Sequence, residues 1–222
     1  MPQLPDSEYI FPNPIQHDPD GHGLICIGGD LKPATLFEAY SHGLFPWFNE
    51  GDPILWWSPD PRLILFPSDI KISKSLAKSM KQYEIRYDTC FEEVMRQCLL
   101  TRLEKGEKSW ISEELIKAFC ALYTQGFAHS VETFFEGKLV GGLYGLYLGG
   151  VFCGESMFST KRDASKVALV ALCEKVRCLG GDFIDCQLPT DHLKSLGACV
   201  ITREKFLGML ENALENCTTK PW

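Results

Sequence analysis

Residues 129–159, HSVETFFEGKLVGGLYGLYLGGVFCGESMFS, decide the fold. From His129 the periodicity is that of strands: HSVETFFE, a turn at Glu136-Gly137, KLVGGLYGLYL, a turn at Gly149-Gly150, then VFCGESMFS. The economical reading is three antiparallel strands joined by short glycine turns.

Downstream, Asp163 starts a helix over ASKVALVALCEKVRCL, and Gly180-Gly181 stops it. DFIDCQL then reads as a buried strand, DHLKSLG as a short helix, ACVITR as a strand and REKFLGMLENAL as a terminal helix. Upstream, the pattern predicts a strand at Leu63 to Phe66, a helix from Ser73 to Gln82 and a strand from Tyr83 to Tyr87. Helices follow near Phe91 to Leu103 and Glu113 to Gln125. Residues 1 to about 60 are rich in Pro, Gly and aromatics and read as mostly irregular, with one helix at PATLFEAYSHG. Pro33 suits its first turn and Gly43 its C-terminal cap. Helices around a mainly antiparallel sheet make the chain α+β, and the texture of the sequence changes after Arg62.

The composition narrows the class. The chain has 222 residues, 45% hydrophobic and 23% charged, enough for a sizeable core. No run of eighteen apolar residues occurs, and MPQLPDSEYIFPNP lacks the features of a signal peptide, so a cytoplasmic location away from membranes is expected. Ten cysteines fall singly, with no C-x-x-C, and read as small core hydrophobes in a reducing compartment. The five histidines offer no H-x-x-x-H pair, so no metal site is expected. A net charge of −7 argues against a general nucleic-acid binder such as a DNA-binding protein.

Several residues break these patterns. In DFIDCQL, Asp185 and Gln187 interrupt an apolar strand and, on a two-residue period, share a face with Phe183. Glu155 is likewise a lone carboxylate in an apolar strand, and burying it unpaired costs several kcal/mol. Two such costly positions in neighbouring strands point to a site. In KISKSLAKSMKQY, Lys71, Lys74, Lys78 and Lys81 fall within an arc of about 80° at helical spacing, opposite Ile72, Leu76, Met80 and Tyr83. A net −7 that includes these four lysines leaves −11 on the rest, so the stripe stands alone and suits a phosphate backbone, RNA before DNA. Trp56 and Trp57 read as staples of a Pro-rich loop, whereas Trp47 and Trp110 are placed to stack on a base.

FPWF, GDPILWWSPDPR, HSVE, LVGGLYG, FCGESMFS, ASKVAL and IDCQ followed by DHLKSLGA together resemble the leucyl/phenylalanyl-tRNA–protein transferase family. The resemblance implies transfer of Leu or Phe, with Met as a further candidate, from aminoacyl-tRNA to the α-amine of proteins beginning with Arg or Lys. That reaction marks the acceptor for degradation in the N-degron pathway. It implies a small N-terminal domain over 1–61, a larger domain over 62–222 similar to the GCN5-type acetyltransferase fold (GNAT-like), and no cofactor. By matching position, Asp185 and Gln187 handle the incoming amine, and Glu155 lines the same cavity. Leu143, Phe152 and Leu172 line an aminoacyl pocket, Trp47 and Trp110 hold the terminal adenosine, and Lys71, Lys74, Lys78 and Lys81 grip the acceptor stem. Gln82 and the two leucines depart from residues common in relatives.

Three other readings compete. An acetyl-CoA-dependent acetyltransferase wants a glycine-rich pyrophosphate loop before its helix, and FSTKRDASK has no glycine. A non-catalytic RNA- or peptide-binding module fits the stripe and tryptophans alone. A cysteine hydrolase built on Cys186 lacks a neighbouring His.

Overall fold

The Pro-rich N-terminal part carries more regular structure than its sequence announces. The computed structural model describes residues 7–18, 20–49, 51–106, 108–216 and 220–222. Its first elements are β1 (Leu24–Ile27), α1 (Pro33–Ser41), β2 (Phe45–Pro46) and β3 (Leu55–Trp57), and β1-β3-β2 form a small antiparallel sheet. Strands of two to four residues among prolines leave no period to read, which is why this sheet is absent from the sequence-based expectation. The tryptophans hold it. The Trp56 indole, 1% exposed, donates to the Gly28 carbonyl at 2.8 Å, and Trp57 donates to the Trp47 carbonyl at 2.7 Å.

The chain continues with β4 (Arg62–Leu65), α2 (Lys74–Met80), β5 (Glu84–Tyr87), α3 (Phe91–Glu104) and α4 (Glu113–Thr124). Then come β6 (Ala128–Phe135), β7 (Lys138–Leu148), β8 (Val151–Ser159), α5 (Ala164–Leu179) and β9 (Phe183–Gln187). The last elements are α6 (Asp191–Ser195), β10 (Cys199–Ile201) and α7 (Arg203–Glu215). The large sheet has the order β10-β4-β9-β8-β7-β6-β5. All its pairs are antiparallel except β8 with β9, which are joined by the α5 crossover that a parallel pair requires.

The expected three-strand unit is present as β6-β7-β8. Glu136 and Gly137 have φ of 49° and 75°, and Gly149 and Gly150 have 53° and 99°. Positive φ at both central residues matches the right-handed twist of the flanking strands. After α5, the Gly181 N–H returns to the Val176 carbonyl and the Gly180 N–H to that of Arg177, closing the helix as its two glycines predict.

Apolar layers cover both faces of the sheet. Val94, Phe119, Tyr144, Phe183 and Phe206 lie in one layer; Leu143, Phe152, Val167, Leu172 and Ile184 lie in the other. Gly145 marks the tightest approach: a Cβ there falls 2.0 Å from the Cys153 carbonyl oxygen, on backbone that cannot yield. Gly145→Ala is therefore expected to lower stability by about 1–3 kcal/mol, read as a reduced urea midpoint. Gly208→Ala, in α7 with open space around it, is expected to raise the midpoint slightly.

Candidate active site

β8 and β9 pair at Val151↔Phe183, Phe152↔Ile184 and Cys153↔Asp185, and the ladder ends there. Just past this point each strand carries an extra residue against its other neighbour. Against β7, Tyr144 pairs with Ser156 and Gly145 with Gly154, so Glu155 is inserted. Against β4, Leu63 pairs with Gln187 and Ile64 with Asp185, so Cys186 is inserted. Bulges bend a strand and re-aim its side chains. With two facing bulges the sheet splits, and a cavity of about 440 Å³ opens between the strand ends. Leu143, Met157, Leu169, Leu172 and Ile184 form its apolar wall, while Glu155 and Gln187 bring polar groups to it.

The bulge at Cys186 gives two residues of one strand face different surroundings while leaving them in contact, Gln187 Nε2 donating to Asp185 Oδ2 at 3.5 Å. Gln187 has φ 55°, and the Leu188 N–H closes a three-residue turn onto the Cys186 carbonyl at 2.8 Å. A non-glycine residue in that region is strained, and such strain clusters at functional sites. Gln187 thereby lines the cavity, whereas Asp185 does not. Asp185 points into the core and meets Arg62 in a two-pronged ion pair: Nε to Oδ1 at 2.9 Å and Nη2 to Oδ2 at 2.7 Å. Both side chains are 1% exposed. Asp185 Oδ1 also accepts the Gln187 backbone N–H at 3.0 Å, so the ion pair fixes the turn that presents Gln187. The Arg62 guanidinium lies over the rings of Phe206 at 4.3 Å and Phe45 at 5.0 Å.

Glu155 is half-buried in the cavity wall and accepts a 2.6 Å hydrogen bond from the Tyr40 hydroxyl of α1. Burial raises its carboxyl from 4.5 to about 8, with the Asp185 charge adding to the rise; the Tyr40 hydrogen bond and Arg62 oppose it. Burial likewise keeps Tyr40 protonated as the donor.

At the mouth, Trp47 is 40% exposed and its ring centroid lies 6.4 Å from that of Trp110, edge to face at 87°. The structure thus brings Trp47, Trp110, Leu143, Leu172, Glu155 and Gln187 around one cavity. Phe152 does not reach it; fully buried, it packs 5.5 Å from the Trp222 ring. The four lysines are exposed. Ser73 caps α2, Lys71 precedes the helix and Lys81 follows it. Ile72, expected on the buried side, precedes the helix and is exposed, while Leu76 is buried.

Sequence reasoning missed Arg62, Tyr40 and Met157. A lone Arg opening the apolar strand RLIL was a legible signal for the first. Among the described cysteines, Cys98, Cys153 and Cys173 are buried, but Cys178 and Cys199 are exposed; Cys217 and residues 1–6 lie outside the described residues. Cys186 faces the cavity, yet burial pushes its thiol well above its usual range, which suits no nucleophile. Among the described residues no three His, Cys, Asp or Glu side chains gather as a metal site, and no helix is long and apolar enough to cross a membrane.

Comparison with known proteins supplies the class. Residues 64–211 match the family described as leucyl/phenylalanyl-tRNA protein transferase, and residues 29–60 match the N-terminal domain of the same family. A protein of that name from Sulfurimonas denitrificans is 47% identical over 222 residues, covering 100% of this chain and 96% of its own. Another from Nitrosospira multiformis is 56% identical over 187 residues, 83% and 80% of the two chains. Among solved structures, a GCN5-related N-acetyltransferase from Kribbella flavida resembles this chain at TM-score 0.37 and 12% identity, over 75% of this chain and 60% of that one. The family models and the curated relatives make the protein a transferase enzyme. More narrowly, the chain belongs to the leucyl/phenylalanyl-tRNA protein transferase family.

Glu155 makes stability depend on pH. The unfolded chain releases this proton near 4.5 and the folded chain near 8, so the neutral group's contribution is complete below about 4.5 and is lost as pH rises towards 8. Urea unfolding between pH 5 and 8 is expected to show Glu155→Gln gaining on the parent, at up to about 1.4 kcal/mol per pH unit. Parallel profiles for the two proteins contradict the raised value.

Proposed function

We propose that this enzyme transfers Leu or Phe, with Met as a further candidate, from charged tRNA to the α-amine of proteins that begin with Arg or Lys, marking them for N-degron degradation. The observation that carries the reading is the two-sided cavity: an apolar wall sized for an amino-acid side chain, polar groups beside it, and two tryptophans at its mouth. In this reading the aminoacyl side chain enters between Leu143 and Leu172, with Met157 completing the wall in place of Phe152. Shape then admits side chains unbranched at Cβ and rejects Ile or Val, within the 1–3 kcal/mol or so that apolar pockets discriminate. Trp47 and Trp110 take the terminal adenosine by stacking, and Lys71, Lys74, Lys78 and Lys81 meet acceptor-stem phosphates.

Transfer exchanges an ester for an amide and runs downhill, so it needs no nucleotide energy. The neutral amine attacks the ester carbonyl, a C–N bond forms, the C–O bond to ribose breaks, and the amine proton passes to the ribose oxygen. Gln187 is the group placed to orient the amine. Asp185 supports it from behind: with both oxygens engaged by Arg62, its role is electrostatic and positional rather than that of a base meeting the amine directly. Glu155, neutral over much of the physiological range, offers a hydrogen-bonding group for the ester terminus or the basic acceptor residue.

Purified protein with Phe-tRNA and an Arg-initiated peptide is expected to yield a Phe-extended peptide without added ATP. Gln187→Ala is expected to lower kcat about a hundredfold with little change in KM, as for loss of an oriented polar group. Trp110→Ala is expected to raise KM for charged tRNA by the roughly 1–3 kcal/mol of a lost stacking contact. Charged tRNA remaining intact, with no extended peptide, defeats the reading.

A further inference from the structure

A second cavity, of about 390 Å³, lies between the segment before α2, the start of α5 and the end of α6. Its lining contains three cations, Lys71, Arg162 and Lys166, the serines Ser73, Ser75 and Ser195, and one carboxylate, Asp163. Asp163 is already engaged: it pairs with Lys166 at 3.0 Å and Arg162 at 3.6 Å and accepts from the Ser79 hydroxyl at 3.0 Å. The cavity therefore keeps a positive excess in a molecule of net charge −7, and its polar wall suits an oxyanion.

Its place in the fold says which oxyanion. Lys71 belongs both to this notch and to the lysine series, and its backbone N–H is bound to the Leu196 carbonyl at 2.8 Å. On the other side α6 is a shared partition: Ser195 and Leu196 line the notch, while His192 and Leu193 line the first cavity. Along α5, Lys166 lies in the notch and Leu169 in the first cavity, three residues or about 4.5 Å of helix apart. The field of Lys166 crosses the partition, since His192 is held below its ordinary range by burial and by that charge. Lysine series, notch and cavity thus follow one another across the surface. With Lys71 on one side and α6 shared with the first cavity on the other, the notch offers a path to a strand gripped by the lysines and ending in the cavity.

We propose that this notch binds a phosphodiester of the single-stranded 3′ segment of the tRNA, between the paired stem and the terminal adenosine. The assignment rests on the tRNA-dependent reading above and adds Arg162 and Lys166 to the residues that hold the donor. Such a contact fixes the path of the strand where it is no longer held by base pairing.

The test compares Phe-tRNA with 3′-O-phenylalanyl adenosine, a donor without phosphodiesters, for the parent, Arg162→Ala and Lys166→Gln. Arg162 is exposed, so its variant is expected to fold; Lys166→Gln is the second probe should Arg162→Ala melt early. Loss of one phosphate contact lowers the log–log dependence of KM for Phe-tRNA on salt by about 0.7, or about fivefold in KM over a tenfold salt range. The expected result is that reduced slope, with a severalfold higher KM at low salt, unchanged kcat, and unchanged turnover of the adenosine ester. An unchanged KM and slope overturns the proposal, as does an equal loss with both donors. Inorganic phosphate binding that Arg162→Ala abolishes, with KM for Phe-tRNA unaltered, assigns the notch to a free phosphate instead. Failure of the parent to use either donor removes the tRNA reading itself.

Discussion

Arg62 and Asp185 form a two-pronged ion pair with almost no contact with water, and the site is organised around it. Taking two such charges out of water is costly, and the cost is recovered only when the geometry is good and both partners remain. Here the pair joins β4 to β9 at the point where the sheet splits. It holds Asp185 in the core while the chain turns at Gln187 to face the cavity. The two rings stacked on the guanidinium come from β2 and α7, so the same cation ties the N-terminal sheet and the last helix to the split. Losing either partner strands a buried charge, which typically costs about 3–5 kcal/mol.

The split follows from local sequence choices. A parallel pair, β8 with β9, has its antiparallel neighbours on either side, and each strand accommodates one extra residue against its neighbour. The extra residues, Cys186 and Glu155, come one and two positions after the last pair, Cys153↔Asp185, so the strands diverge there and leave an opening that side chains do not fill. A rigid sheet frame thereby supports a cavity with polar groups at strand ends and aromatic groups on adjoining loops. Glu155 reaches back across this frame to Tyr40 of α1, a second link between the small sheet and the large one.

Much of this is legible in the amino-acid sequence. The hairpins were announced by Glu136-Gly137 and Gly149-Gly150, and α5 by an apolar helix stopped at two glycines, because local turn chemistry decides those features. Glu155, Asp185 and Gln187 were conspicuous because polar residues in buried strands are expensive. Their directions were not legible. A two-residue period puts Asp185 and Gln187 on one face; they do stay in contact, but the inserted Cys186 turns the chain so that only Gln187 lines the cavity. The partner of Asp185 was hidden for a different reason: Arg62 lies 123 residues away, and no local pattern reports a contact at that separation. The small N-terminal sheet escaped notice because its strands are too short for periodicity.

The most direct measurement is a crystal structure of the protein with a hydrolysis-resistant, amide-linked phenylalanyl adenosine. The account predicts the phenyl ring between Leu143 and Leu172, the adenine against Trp47 or Trp110, and the carbonyl within reach of the Gln187 amide, with Arg62 and Asp185 still paired behind it. An analogue bound elsewhere, or Asp185 released from Arg62 and in contact with the reacting group, contradicts it.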